Sequence, residues 1–432
     1  MEPNAAGGMG RRDFVKAAVA AGGAAALSAC LAREEDPDLP TGPEDLSTLP
    51  DAQHAWNGAL PTDDHGNDVA PRHHLLLYFD YAGDGTPDDA DRETVEAALQ
   101  SLERAYARSQ ETDDGREVGL VFTVGYSPAY FDRFEASLSE SVDLPEPAAM
   151  APFEDPEFEK PDVAVHLASD YGSAVLGAEE ALRGEKSELN GVEVTGLDGV
   201  LERVDRRTGF VGDGLPAEHD DVRGVPEGEV DEDSPLYMGF KSGFSKNQAS
   251  ERRVTIQEGP FGGGTTQHVS LLRLHLDQWY EQDDRSHRVA TMFCPVHAEE
   301  DLVEGVGENL GDSSLLEERG CPAHTEDHAR EYGKVGHSQK SARAREDGDP
   351  IILRRDFDST DDDLTTLHFV SLQRAIEDFR ATREAMNGTD VSGGAVGQRT
   401  NNGILQYMTV KRRANFLLPP RRHRSLPPAV PE

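Results

Sequence analysis

The sequence predicts an α+β protein made of tandem ferredoxin-like units, with antiparallel sheets carrying helices on one side. Three observations carry that expectation. Short apolar runs of strand character recur in both halves, each half offers a helix with one apolar face, and acidic or glycine-rich stretches separate the elements. At 432 residues the chain is long enough to bury two such cores.

The first unit is expected over residues 72–230. Residues 74–80 are a near-continuous apolar run bounded by Gly/Asp turns, so a buried strand. Asp89 or Asp91 can cap a helix in which Val95, Leu99, Leu102 and Tyr106 keep helical spacing. Residues 119–124 read as a second strand, residues 162–168 as a third, and residues 173–182 as a second helix. The second unit, residues 231–432, repeats the order. Residues 236–240, 266–274 and 367–372 read as strands, followed by a helix over 373–386 with Ala375, Ile376 and Phe379 on one face. Residues 404–410 and 415–418 read as two terminal strands before Pro419-Pro420. Surface loops are expected at 184–191, 217–233, 299–329 and 356–363. His73 and His74 are expected to face solvent, and His268 and His275 to lie on opposite faces of a regular strand.

Residues 1–29 are an address rather than structure. Gly10-Arg11-Arg12-Asp13-Phe14-Val15-Lys16 is close to the twin-arginine consensus, which exports folded and often cofactor-loaded proteins. A short Ala/Gly-rich run follows, too weakly apolar to span a membrane. Leu27-Ser28-Ala29-Cys30 then matches a lipobox, so Cys30 would be lipidated and anchor the protein on the outer face of the cell membrane. The acidic, Pro-rich residues 30–71 would be a flexible tether.

The chain carries 82 acidic against 42 basic residues, a net charge of −40. Such a chain repels itself unless salt screens it, which fits a surface adapted to brine, as in haloarchaeal proteins. A cation-binding acidic surface is the functional alternative. Nucleic acid is not an expected partner, because its phosphates would be repelled.

Four segments of the second half fall in one order. They are Gly239-Phe240-Lys241-Ser242-Gly243, the run from Gly262-Gly263-Gly264 through Arg273 to Trp279, Gly336-His337, and Ile352-Leu353-Arg354-Arg355. Together with residues 123–134 (TVGYSPAYFDRF) and 367–374 (LHFVSLQR), they resemble the dye-decolourising (DyP-type) haem peroxidases. The resemblance covers most of the chain beyond the address. It implies paired ferredoxin-like units in an α/β-barrel-type core, haem b as cofactor, and hydrogen peroxide and a small organic reductant as substrates; it leaves homo-oligomers open. It also implies roles. His337 matches the haem-iron ligand, and Arg354 matches the first arginine of the family's LRRG strand, which binds haem and stabilises the peroxide oxyanion. Ser242 and Gly243 fall on the family's GFxDG turn, with Ser242 where the distal acid should be. A hydroxyl cannot do that acid's general acid–base work, although it can position water. Asp356 stands where the family's LRRG has glycine.

A second constellation comes from spacing alone. Cys294-Pro295-Val296-His297 and Cys321-Pro322-Ala323-His324 are two CxxH pairs. Cys294, His297, Cys321 and His324 could close a zinc or copper site, Cys294 and Cys321 could instead form a disulfide, or both thiols could stay free. The reading is an exported haem peroxidase, weakened by loss of the distal acid. The alternatives are a non-enzymatic haem-, zinc- or copper-binding lipoprotein, or an unliganded scaffold on the same fold. There is no G-x-S-x-G nucleophile, HExxH pair or short-period repeat.

Overall fold

The computed structural model describes residues 39–113 and 115–432; the twin-arginine segment and the lipobox lie outside the described residues. The first unit runs β1 (His73–Tyr81), α1 (Asp89–Ala105), β2 (Val121–Tyr126), β3 (Val163–Ser169), α2 (Gly172–Leu182) and β4 (Leu201–Phe210). Its strands lie in the order β4-β1-β3-β2, each neighbour antiparallel, which is the ferredoxin-like arrangement. β1 is apolar throughout because both of its faces are buried. Leu75, Leu77 and Phe79 pack under the helices, while Leu76 and Tyr78 point into the space between the two units. In α1 the cap is Asp88, one residue earlier than expected. Its side chain accepts from the Asp91 N–H, and Asp91 returns the bond to the Asp88 N–H.

The second unit contains β5 (Thr265–Leu274), β6 (Leu353–Arg354), β7 (Phe357–Ser359), β8 (Thr366–Gln373), α8 (Ile376–Asn387) and β9 (Met408–Leu418). Its order, β9-β5-β8-β7, repeats that of the first unit, with β6 as a short addition on β8. The helix that should follow the first strand is replaced by a long insertion. It carries α3 (Leu276–Glu281), α4 (Arg285–Met292), α5 (Pro295–Glu299), α6 (Thr325–Glu331) and α7 (His337–Ser341). Single residue pairs, Asp358 with Phe210 and Leu417 with Tyr126, join the two sheets at both edges and close them into a ring. Its interior is filled by residues such as Val269, Val370, Ala414 and Phe416.

Several expectations are corrected. Residues 236–240 form turns rather than a strand, because Gly239 takes φ +77° there. Residues 404–418 give a 3₁₀ turn at Gly403–Gln406 and then one continuous strand. The helix expected over 373–386 starts at Ile376, since Gln373 ends β8. Of residues 356–363, expected as a surface loop, Phe357–Ser359 form β7 with Asp358 fully buried, while Asp361–Asp363 form a turn without buried residues. Within the described part of the expected tether, Trp56 is buried and the Gln53 side-chain amide bonds both the Val124 N–H and C=O, so this stretch is packed against the first sheet. His74 is buried, with Nδ1 3.0 Å from His166 Nε2, and stacks on Phe357. His275 lies beyond β5, capping α3, so the opposite-face reading does not apply. Among the described residues no helix is long and apolar enough to cross a membrane.

Candidate active site

A cavity of ≈ 240 Å³ lies on the helix side of the second sheet. Leu272 and Leu274 of β5, Leu367 and Phe369 of β8, and Met408 and Val410 of β9 form its apolar floor, and Phe379 and Met386 of α8 flank it. These residues face one way because side chains alternate along a strand. The insertion covers them, and α7 brings His337 into the lining.

His337 is placed by one close backbone approach and by the side chain of Gln339. A Cβ on Gly336 would sit 1.8 Å from the Phe293 carbonyl oxygen, so only glycine lets α7 enter against that carbonyl. The side chain of Gln339 then ties the turn together, accepting from the Gly336 N–H at 3.1 Å and donating to the Cys321 carbonyl at 2.7 Å. Burial, then the nearby charges of Lys340, Arg354 and Arg383, hold the His337 imidazole down to about 3, so the ring is neutral at ordinary pH. Its Nδ1 is buried without a hydrogen-bond partner. The adjacent Lys340 is buried too, its Nζ donating to the Met386 and Asn402 carbonyls.

Arg354 and Ser242 are in contact: Arg354 Nη2 donates to Ser242 Oγ at 3.1 Å. The Gln248 amide holds the Arg354 backbone from both sides, accepting from its N–H at 3.0 Å and donating to its C=O at 3.2 Å. Ser242 is exposed at the cavity mouth. Gly243 is not a lining residue; with φ +79° it turns the chain after Ser242, and that conformation alone requires glycine. Arg355 points away. It is buried, stacks 4.1 Å from the centre of the Trp56 ring and pairs with Glu251 at 3.0 Å, a structural role.

Sequence reasoning missed two acids of this site. Asp356 and Asp358 follow Arg354 at two-residue steps, and all three line the cavity. Asp356 Oδ1 accepts from the Val370 N–H at 3.0 Å, and Oδ2 lies 3.4 Å from Arg354 Nη1. Burial raises the Asp356 carboxyl to about 6, although Arg354 pulls the other way. Asp358 accepts from the Tyr237 N–H, and burial pushes its carboxyl well up. The signal was in the sequence, as the alternation Arg354-x-Asp356-x-Asp358, but the acidic run after it reads as a loop.

The two CxxH pairs do not make a four-ligand site. Cys294 and Cys321 are joined as a disulfide, and His297 Nδ1 lies 3.1 Å from Cys294 Sγ and 3.7 Å from Cys321 Sγ. His324 is excluded: its side chain is 60% exposed and its Nδ1 faces Asp327 at 3.3 Å, because it begins α6 on the solvent side.

A family profile described as "Family of unknown function (DUF7405)" matches residues 71–420. No curated protein matches the chain. Among solved structures, a DypB variant of Rhodococcus jostii RHA1 in complex with heme is similar at 16% identity and a TM-score of 0.52, over 83% of this chain and 96% of that one. A DyP-type peroxidase protein of Shewanella oneidensis is similar at 17% identity and 0.51, over 82% and 94%. The encapsulated DyP-type peroxidase of Mycobacterium smegmatis is similar at 12% identity and 0.52, over 86% and 99%. At these identities the likeness is one of fold: the duplicated ferredoxin-like architecture is that of the DyP peroxidases. The profile spans most of the chain, and the protein belongs to the DUF7405 family.

Proposed function

We propose that this protein is a haem peroxidase of the dye-decolourising type, exported and lipid-anchored at Cys30, that oxidises small organic reductants with hydrogen peroxide. The observation that carries the reading is one apolar cavity holding both His337, neutral and with an unpartnered ring nitrogen, and Arg354. The R. jostii protein of the same fold binds heme. The residues here suit that group. A neutral imidazole is the form that ligates iron, and aromatic and methionine side chains suit a flat apolar ring.

When bound, haem supplies the two-electron redox chemistry of peroxide cleavage. The chain supplies the rest. His337 would hold the iron from α7, whose position Gly336 and Gln339 fix. The Arg354 guanidinium stabilises negative charge developing on the peroxide, and Gln248 keeps it in place. Ser242 Oγ, bonded to Arg354, orders water at the mouth. The apolar walls keep bulk water out, which strengthens the action of Arg354 on the peroxide. The test is peroxide-dependent oxidation of a phenolic reductant by the haem-loaded protein. Arg354→Leu should lower the rate at least tenfold while haem is retained; an unchanged rate would remove Arg354 from the mechanism. The processing read from residues 1–30 is tested by the mass of the mature N-terminus, which should carry a lipid on Cys30.

A second, non-enzymatic reading is favoured by His297. Its Nε2 lies 2.8 Å from the Ser314 carbonyl, which can only accept, so Nε2 carries the proton and Nδ1 turns its lone pair toward the two sulfurs. Once a dithiol reduces the disulfide, the thiolates of Cys294 and Cys321 and the His297 imidazole become three donors suited to zinc or copper(I). Equilibrium metal binding by the reduced protein tests this: no retained zinc or copper(I) would end it.

A further inference from the structure

We propose that Asp356 is the proton-transferring acid of this site, moved from the Gly239–Gly243 turn to the arginine strand. The inference rests on the peroxidase reading above and names a residue that reading lacks. Its basis is a paired exchange in one cavity. The turn presents Ser242, which has no usable acid, while the segment after Arg354 presents Asp356. Ser242 and Asp356 are both partners of the Arg354 guanidinium, one at each terminal nitrogen. An acid at either position thus reaches a peroxide that Arg354 holds.

The carboxylate is built for the task. Its side chain is 9% exposed, and one oxygen is fixed by the Val370 N–H, leaving Oδ2 toward Arg354 and the cavity. On its own segment it faces Arg354 and Asp358. Burial pushes the Asp358 carboxyl well up, and one of its oxygens accepts from the Tyr237 N–H. The other cavity cations are engaged: Lys241 with Asp63, Arg345 with Glu317, and Arg383 and Arg413 with Glu154. His337 is neutral. Arg354 is therefore the cation in contact with Asp356.

The step conserves the proton. Asp356 Oδ2 takes it from one peroxide oxygen and returns it to the other, which leaves as water when the O–O bond breaks; the electrons for cleavage are those haem supplies. The carboxylate form begins the cycle. With the carboxyl raised to about 6, that form predominates above pH 6 and is lost below it.

Two readouts test the assignment. In the haem-free protein, infrared titration should show a carboxyl band converting to carboxylate near pH 6 and missing from Asp356→Asn. In the haem-loaded protein, mixing with hydrogen peroxide should give a rate that falls below pH 6. Asp356→Asn should lose about 10²–10⁴-fold, the range of general acid–base catalysis. Adding Ser242→Asp to Asp356→Asn should recover part of the loss, a rescue that a merely structural role would not give. Asp356→Asn reacting at the parent rate with haem bound would overturn the inference alone, as would a band that does not titrate between pH 4 and 8. A protein that takes up no haem would overturn the peroxidase reading and this inference with it.

Discussion

Glu154 offers a test of how the first unit braces the cavity of the second. It comes from the segment before β3, yet its carboxylate receives Arg413 Nη2 at 2.9 and 3.1 Å and also pairs with Arg383. The side chains of Glu154, Arg383 and Arg413 are 2%, 5% and 1% exposed. Glu154→Ala would leave two buried guanidinium groups without a counter-ion. Breaking a buried pair from one side costs about 3–5 kcal/mol, a large share of the ~5–15 kcal/mol that holds a typical fold. Glu154→Gln keeps the shape and loses the charge, so it should fall at the lower end. The assay is chemical unfolding of the haem-free protein in molar salt, where exposed pairs are screened but this one is not. Burial raises the Glu154 carboxyl, but Arg383 and Arg413 outweigh it and hold it below the usual range. Its contribution is therefore present above the unfolded carboxylate value and is lost as pH falls through the depressed one. A loss under 1 kcal/mol for Glu154→Ala would refute the reasoning.

Other outcomes follow from the same structure. Reducing the Cys294–Cys321 bond, which closes a separation of 27 residues, should destabilise the protein by about 3.5 kcal/mol through loop-closure entropy, read as a lower unfolding midpoint with dithiol. The reduced protein should bind one zinc ion with loss of two titratable thiols, whereas His324→Ala should leave that binding unchanged. Asp88→Ala should cost about 1 kcal/mol by removing the α1 cap, measured by thermal unfolding.

What the sequence made legible was whatever a period or a spacing encodes. β1 and β3 announce themselves as apolar runs because both faces of each are buried. His337, Arg354 and Ser242 were found by their order along the chain, and the structure brings them into one cavity. Three of the misses share a cause: charges satisfied across the fold. β4 carries Arg203, Arg206 and Arg207, which does not look like a strand, but Glu179 of α2 neutralises the first two and Glu159 the third. β9 reads as two strands because Lys411-Arg412-Arg413 interrupts it; Glu154, Glu159 and Asp205 take up those arginines. Asp356 and Asp358 look like the start of an acidic loop, whereas backbone N–H groups of Val370 and Tyr237 hold them inside. Such partners lie far away in sequence, where local pattern does not reach.

The central claim is that His337 holds haem in this cavity, and a haemin titration followed by absorption tests it most directly. Ligation by His337 predicts stoichiometric binding with a Soret band that shifts on adding hydrogen peroxide, and loss of that binding in His337→Ala. Haemin retained equally by His337→Ala, or not bound by the parent protein at all, would contradict it.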